Sequence, residues 1–302
     1  MQPLISVVMA VYEPKPPLLQ QALESVLNQS LGNFELIIVE DPSSSPGQQI
    51  VKQCDDARIR YLLNERRTSL VQQKNRGLDC VRGSYVAIMD ADDISDLCRF
   101  EKQIAFLHKH PEVDVLGSQV TVINQNGASL GYRRFPLDHQ RIVGAMKRVV
   151  PLCHPSVMLR REPLLRVGGY RETGYPIEDY ELWSRLAKHQ AHFANHPDAL
   201  LKYRVHPDQT KAKRLRECIQ GVLCVKKQFW RAEMDFPSRL RMWAEQLLLW
   251  LPPAIVYRVL LQTEYHQRRP LRWKVPMIVR PTTALGGQCL PAVPRGRPTL
   301  RS

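Results

Sequence analysis

The chain lacks paired cysteines. Its seven stand singly, at 54, 80, 98, 153, 218, 224 and 289, with no CxxC among them. An odd number of isolated thiols argues against a zinc ribbon or a disulfide framework, and reduced cysteines in a cytosol are the simpler expectation. No run of about 18 or more uninterrupted apolar residues occurs, so no spanning helix is expected. Met1-Gln2-Pro3-Leu4 has neither the basic nor the apolar region of a signal peptide, and the expectation is a protein that meets its substrate in the cytoplasm. Acidic residues are also short, 29 against 43 Lys and Arg, for a net charge of +14. Such an excess suits anionic partners and is unevenly spread. Nucleic acid is disfavoured because the basic residues compose no recognition motif. No internal repeat is present, and 44% hydrophobic residues exclude wholesale disorder. With 302 residues there is room for one large α/β domain and a smaller appendage.

What is present begins as an alternation of strand and helix. Ile5 to Val11 is a short, partly β-branched apolar run, as a buried parallel strand requires. Leu18 to Leu27 carries apolar residues at helical spacing. Strands follow at 35–39, 59–62 and 85–89, with helices at 48–54 and 70–81. This rhythm predicts βαβ units and a mostly parallel sheet with helices on both faces. From about Pro111 the pattern changes: strands are expected at 113–122, 129–135, 155–159 and 200–205, with Asn126-Gly127 as a tight turn. A helix opens at Glu178.

In such sheets ligands sit beyond the carboxyl ends of the strands. Three strands are followed directly by polar or acidic residues: Tyr12-Glu13, Glu40-Asp41 and Asp90-Ala91-Asp92-Asp93. Loop solvation explains any one of them; three in register point to a site. Two acids one residue apart can hold a hard divalent cation, Mn²⁺ or Mg²⁺, together with substrate phosphates. A solvated loop matches that short motif equally well when it is taken alone.

The ordered array is more specific than any member. Ile5 to Glu13, Glu35 to Ser45, Asn75-Arg76-Gly77, Gly83, the strand into Asp90-Ala91-Asp92-Asp93, His154-Pro155-Ser156, Gly168-Gly169-Tyr170, Glu178-Asp179-Tyr180-Glu181-Leu182-Trp183 and Tyr203-Arg204-Val205-His206 occur in sequence. Over residues 4 to 210 the chain closely resembles the family 2 glycosyltransferases, which have the GT-A fold, a Rossmann-like α/β arrangement with a mostly parallel central sheet and flanking helices. The resemblance implies a catalytic domain over 1–212, with a nucleotide-binding half at 1–110 and an acceptor half at 111–212.

It also implies roles. Asp41 would bond the donor's base, usually uracil or thymine, flanked by backbone from Ala10 to Tyr12 with Glu13 nearby. Asn75 belongs to the nucleotide-sugar set, Asp90 would contact the ribose, and Asp92 would ligate the metal, aided by His206. Gly168 and Gly169 would let donor and acceptor approach the backbone, and Arg204 would meet a phosphate or merely a surface carboxylate. Asp179 would be the general base, with Glu178 beside it, giving transfer from a UDP- or dTDP-linked donor with inversion. Taken alone, Glu178-Asp179 reads equally as helix N-terminal stabilisation.

Departures exist. Glu40-Asp41-Pro42 stands where the family commonly has two aspartates and a glycine. The processive Gln-x-x-Arg-Trp motif is absent, since Gln228-Phe229-Trp230-Arg231 does not reproduce it, so single transfers are expected. Two other readings fit the sequence less well. A sugar nucleotidyltransferase would need a Gly-rich phosphate loop, which Val11 to Lys15 does not offer. A lapsed nucleotide-sugar or glycan-binding protein is opposed by the intact acids. Beyond Lys211, helical segments rich in Arg, Leu and Trp extend over 213–267, with apolar stripes at 238–251 and 254–262; a basic, Pro-rich tail at 268–302 is expected to be flexible. The stripes suit a membrane interface, a lid on the catalytic domain or an oligomer contact. A membrane role would place the enzyme on the inner face of the plasma membrane, acting on a lipid-linked glycan.

Overall fold

The computed structural model describes residues 2–206, 209, 213–251 and 256. The second stripe at 254–262, Val256 apart, and the tail lie outside the described residues. The first half reproduces the expected alternation: β1 Ile5–Val11, α1 Pro16–Leu27, β2 Phe34–Glu40, α2 Gln48–Gln53, β3 Ile59–Leu63, α3 Leu70–Leu78 and β4 Tyr85–Asp90. Local chemistry explains the boundaries. Pro16 opens α1, where its fixed φ suits the first helical position and no amide is missed. Ser69 and Gln72 close a capping box on α3.

The second half runs β5 Ile94–Ser95, α4 Arg99–Lys109, β6 Val115–Asn124, β7 Ser129–Arg133, α5 His139–Met146, β8 Met158–Arg160, α6 Arg161–Arg166, α7 Glu178–Lys188, β9 Phe193–Val205, α8 Leu215–Val225 and α9 Phe236–Leu248. One sheet of nine strands has the order β3-β2-β1-β4-β8-β6-β9-β5, with β7 also on β6. β1 to β4, β6 and β9 run one way and the rest oppose them, so the sheet is mixed, parallel over its first four strands and again between β6 and β9.

Two expectations shift. Residues 155–159 are not one strand: His154–Ser156 is a 3₁₀ turn, and β8 begins only at Met158, because Pro155 has no amide for a ladder. β9 begins at Phe193, well before Leu200, and its pairing with β6 skips from His196 to Ala199, bulging Pro197 and Asp198 out of register.

Alternation along the buried strands divides the core. Val8, Ile37, Val39 and Ile88 face a layer containing Leu78, Ile142, Trp183 and Leu223. Val7, Met9, Ile38 and Met89 face Leu19, Leu23, Phe100 and Ile104 on α1 and α4. The segment after β9 packs on the first layer. Trp230 is buried and its Nε1 donates to Ser184 Oγ at 3.0 Å. Gly221 on α8 leaves no room for a side chain, since a Cβ there would lie 2.5 Å from Ile177 Cγ1 and 2.6 Å from Tyr175 Cβ. Buried Lys226 donates to Glu245 Oε2 on α9 at 2.5 Å.

Candidate active site

Register brings the strand ends level. Val11 on β1 pairs Glu40 on β2, and Ala10 pairs Asp90 on β4. Ala10, Tyr12, Glu13, Asp41 and Asp90 therefore share one edge. Glu13 takes φ +45°, a turn that few L-residues adopt. The Tyr12 ring lies under the Arg67 guanidinium at 4.2 Å.

The residues after β2 are committed more deeply than expected. Glu40, wholly buried, accepts from the Gly47 amide and the Tyr61 hydroxyl, both at 2.6 Å, and so closes its own loop. Asp41 is also buried and accepts from Asn64 Nδ2 at 2.5 Å, Thr68 N at 2.7 Å and Thr68 Oγ1 at 2.9 Å. The carboxylate expected to face a base is turned to the 64–68 loop in this structure.

Beyond β4, Asp90, Asp92 and Asp93 bring one oxygen each within 4.8 Å of one another. His206 Nε2 lies 3.0 Å from Asp92 Oδ2. Among the described residues, His206 Nδ1 and Asp93 Oδ2 are buried with no hydrogen-bond partner. Burial pushes the Asp90 carboxyl up to about 7, with Asp92, Glu178 and Asp179 adding to the rise and the Lys74 ammonium opposing it. Clustered carboxylates that resist ionising together, with an imidazole and unsatisfied lone pairs beside them, fit a hard divalent cation such as Mn²⁺ or Mg²⁺.

Arg204 corrects the reading of the sequence. It is completely buried, and its side chain is held by protein groups and not by a surface carboxylate. Its Nε donates to Asp92 O at 2.6 Å, its other nitrogens to Asn124 O, Gln125 O and Gln21 Oε1, and its amide to Asp93 Oδ1 at 2.7 Å. It builds the acidic turn from behind. Asn75 is a second correction. Its Nδ2 donates to Tyr170 O and its Oδ1 accepts from Tyr170 N, both at 2.9 Å, so the amide ties α3 to the glycine loop. Gly168 and Gly169 take φ +79° and +64° in that loop. Arg185, paired with Glu181 at 2.8 Å, donates to Gly169 O at 2.7 Å and holds the loop from its other side.

Across from the strand edge, α7 opens with Glu178 and Asp179. Lys74, absent from the expected set, lies between the two halves. Its Nζ donates to Glu178 Oε1 at 2.6 Å, and its charge acts on Asp90 and Asp179 as well. Burial opposes ionisation of Glu178, but Lys74 outweighs it and holds that carboxyl below its usual range. Asp179 stays partly exposed, and burial together with the Glu178 charge raises its carboxyl to about 6. Beneath them the Tyr170 hydroxyl lies 2.8 Å from His154 Nε2, and burial keeps that imidazole neutral. His154 thus has a local structural partner.

A nucleotide-binding type of sheet whose carboxyl edge looks across at an acid-bearing helix is the architecture of the GT-A fold. Comparison with known proteins agrees. The chain belongs to glycosyl transferase family 2, whose model matches residues 6–168. It is 29% identical over 281 residues to the putative glycosyltransferase EpsE of Bacillus subtilis, covering 91% of this chain and 98% of that one. It is also 29% identical, over 70% of this chain and 78% of the other, to an Escherichia coli enzyme named UDP-Gal:alpha-D-GlcNAc-diphosphoundecaprenol beta-1,3-galactosyltransferase. In three dimensions it is similar to the S. aureus TarS fragment 1–349 in complex with UDP-GlcNAc, with a TM-score of 0.61 over 81% of this chain and 70% of that one. At 16% identity the likeness to TarS is one of fold.

Proposed function

We propose that the chain transfers one sugar per encounter from a UDP- or dTDP-linked donor to a hydroxyl of a glycan, with inversion at the anomeric carbon, and that the acceptor is lipid-linked. The supporting observation is the Lys74–Glu178 pair, which leaves Asp179 partly exposed opposite Asp90 with a carboxyl poised near neutrality. A base is most effective when its pKa lies close to the working pH.

In this reading Asp179 accepts the proton of the acceptor hydroxyl as its oxygen bonds to the anomeric carbon. The bond from that carbon to the diphosphate breaks, and the diphosphate leaves with the electron pair. A single base facing a single leaving group gives attack from the opposite side, hence inversion. Asp92 and His206, with Asp90 beside them, would hold Mn²⁺ or Mg²⁺, which when bound neutralises charge on the departing diphosphate. The backbone of Ala10 to Tyr12 and the loop that Asp41 organises would cradle the base. The lipid-linked acceptor rests on the printed name of the E. coli relative, which carries its acceptor sugar on a diphosphoundecaprenol.

The test is a thermal-shift screen of nucleotide sugars with Mn²⁺, followed by transfer assays with the donor that stabilises, because a ligand of the native state raises its melting temperature by mass action. If no nucleotide sugar stabilises the protein with or without the ion, the reading is wrong.

A further inference from the structure

We infer that α9 is a docking face for the surface of a bilayer rich in anionic phospholipid, lying in the interfacial plane. The helix has two opposite sides. Ser238 and Met242 are buried, and Glu245 reaches inward to Lys226. On the other side Phe236, Leu240, Trp243 and Leu247 recur at spacings of four, three and four residues, one stripe of a 3.6-residue period, and Trp250 follows in the turn just past the helix. These five are 78%, 61%, 68%, 67% and 86% exposed. A soluble protein rarely shows water so large an unbroken row of aromatic and leucine side chains.

Charge selects the occupant. Residues 211–302 contain 18 Lys and Arg against 5 Asp and Glu, whereas residues 1–210 contain 25 against 24. Nearly all of the net charge of +14 thus belongs to the stretch that carries the stripe, and the fold before it is close to neutral. Arg239 is exposed beside the stripe, while Arg241 lies toward the inner side and pairs with Glu245 at 3.1 Å; a basic edge along an apolar row that enters the acyl boundary can meet head groups. Trp243 and Trp250 are suited to that boundary, with an apolar ring and one N–H donor. No described helix is long and apolar enough to cross a membrane. A second copy of a chain this basic would bring like charges face to face along the same row.

The inference stands apart from the transfer reaction, and its experiment does not read activity. The full-length protein is floated with vesicles of phosphatidylcholine alone and with vesicles that also contain phosphatidylglycerol, beside the variant Leu240→Gln/Trp243→Gln/Leu247→Gln. All three positions are exposed, so the variant should fold, and an unchanged melting temperature checks that. The wild type should float with the anionic vesicles, less with the neutral ones and less at high salt. The triple variant should lose roughly tenfold or more in apparent affinity, given the apolar area removed. Equal flotation of wild type and variant overturns the assignment to α9, and failure of the wild type to float overturns membrane docking. A dimer in light scattering that the variant dissolves, with no flotation by either, would make the stripe a contact between copies and also overturn the proposal.

Discussion

Lys74 Nζ and Glu178 Oε1 lie 2.6 Å apart with side chains only 5% and 11% exposed, joining the helix behind the nucleotide edge to the first turn of the acid-bearing helix. A pair so dry is unforgiving of loss. Lys74→Met leaves an unpaired buried carboxylate and should cost about 3–5 kcal/mol of stability. Chemical denaturation of the two proteins measures it. Lys74→Met/Glu178→Gln should recover part of the loss, and a double variant no better than the single would mean that the ion pair is not the cause.

The pH dependence of transfer follows from the same pair. A carboxyl raised to about 6 must shed its proton before it can act as a base, so kcat/KM should fall as pH drops through about 6 and level off above it. Lys74 holds Asp179 down, so in a folded Lys74→Met enzyme the acidic limb should move to higher pH. A limb that stays in place would show that another group titrates. Asp179→Asn should lower kcat by roughly a hundred- to ten-thousandfold with little change in donor binding.

Gly168 and Gly169 share a left-handed backbone but not a neighbourhood. A Cβ on Gly169 would lie 2.8 Å from Asn75 Oδ1, and one on Gly168 meets nothing within 4 Å. Gly168→Ala should cost only the left-handed backbone, about 1–2 kcal/mol. Gly169→Ala should cost more and also slow transfer, because the Asn75–Tyr170 link beneath the acids must yield. Equal melting temperatures for the two variants would contradict this.

Ion dependence isolates the acidic turn. Mn²⁺ should raise the melting temperature of the wild type and leave Asp92→Asn unmoved, while His206→Ala should need more ion for the same shift. Chelation should abolish transfer and added Mn²⁺ restore it. Transfer unaffected by a chelator would remove the cation from the site.

Arg204→Lys separates architecture from binding. One ammonium cannot replace a guanidinium that serves Asp92 O, two further carbonyls and Gln21. The variant should melt earlier while a saturating donor still stabilises it. Normal stability together with a raised donor KM would restore the phosphate role.

The first four strands and the acids at their ends could be read directly, because buried strands write themselves as continuous apolar runs and the residues beyond them need not. What escaped depended on partners distant in the chain. Lys74 looks like any basic residue on an amphipathic helix and becomes central only when Glu178, 104 residues later, folds against it. Asn75 and Arg204 sit within recognisable motifs, yet their side chains bond mainly to backbone groups that a linear pattern does not expose. The early part of β9 was hidden by Pro197, which breaks the look of a strand while the ladder continues around its bulge. The helix over 99–109 went unread beside the acidic turn, although its buried Arg99 donates to Ile88 O at 3.0 Å from beneath β4.

Gly221 gives the molecule a mechanical rigidity. With no slack between α8 and the turn at Tyr175–Ile177, neither can slide past the other without the other following. A side chain added at Gly221 would therefore have to displace the turn at 175–177, whose last residue immediately precedes Glu178 on α7.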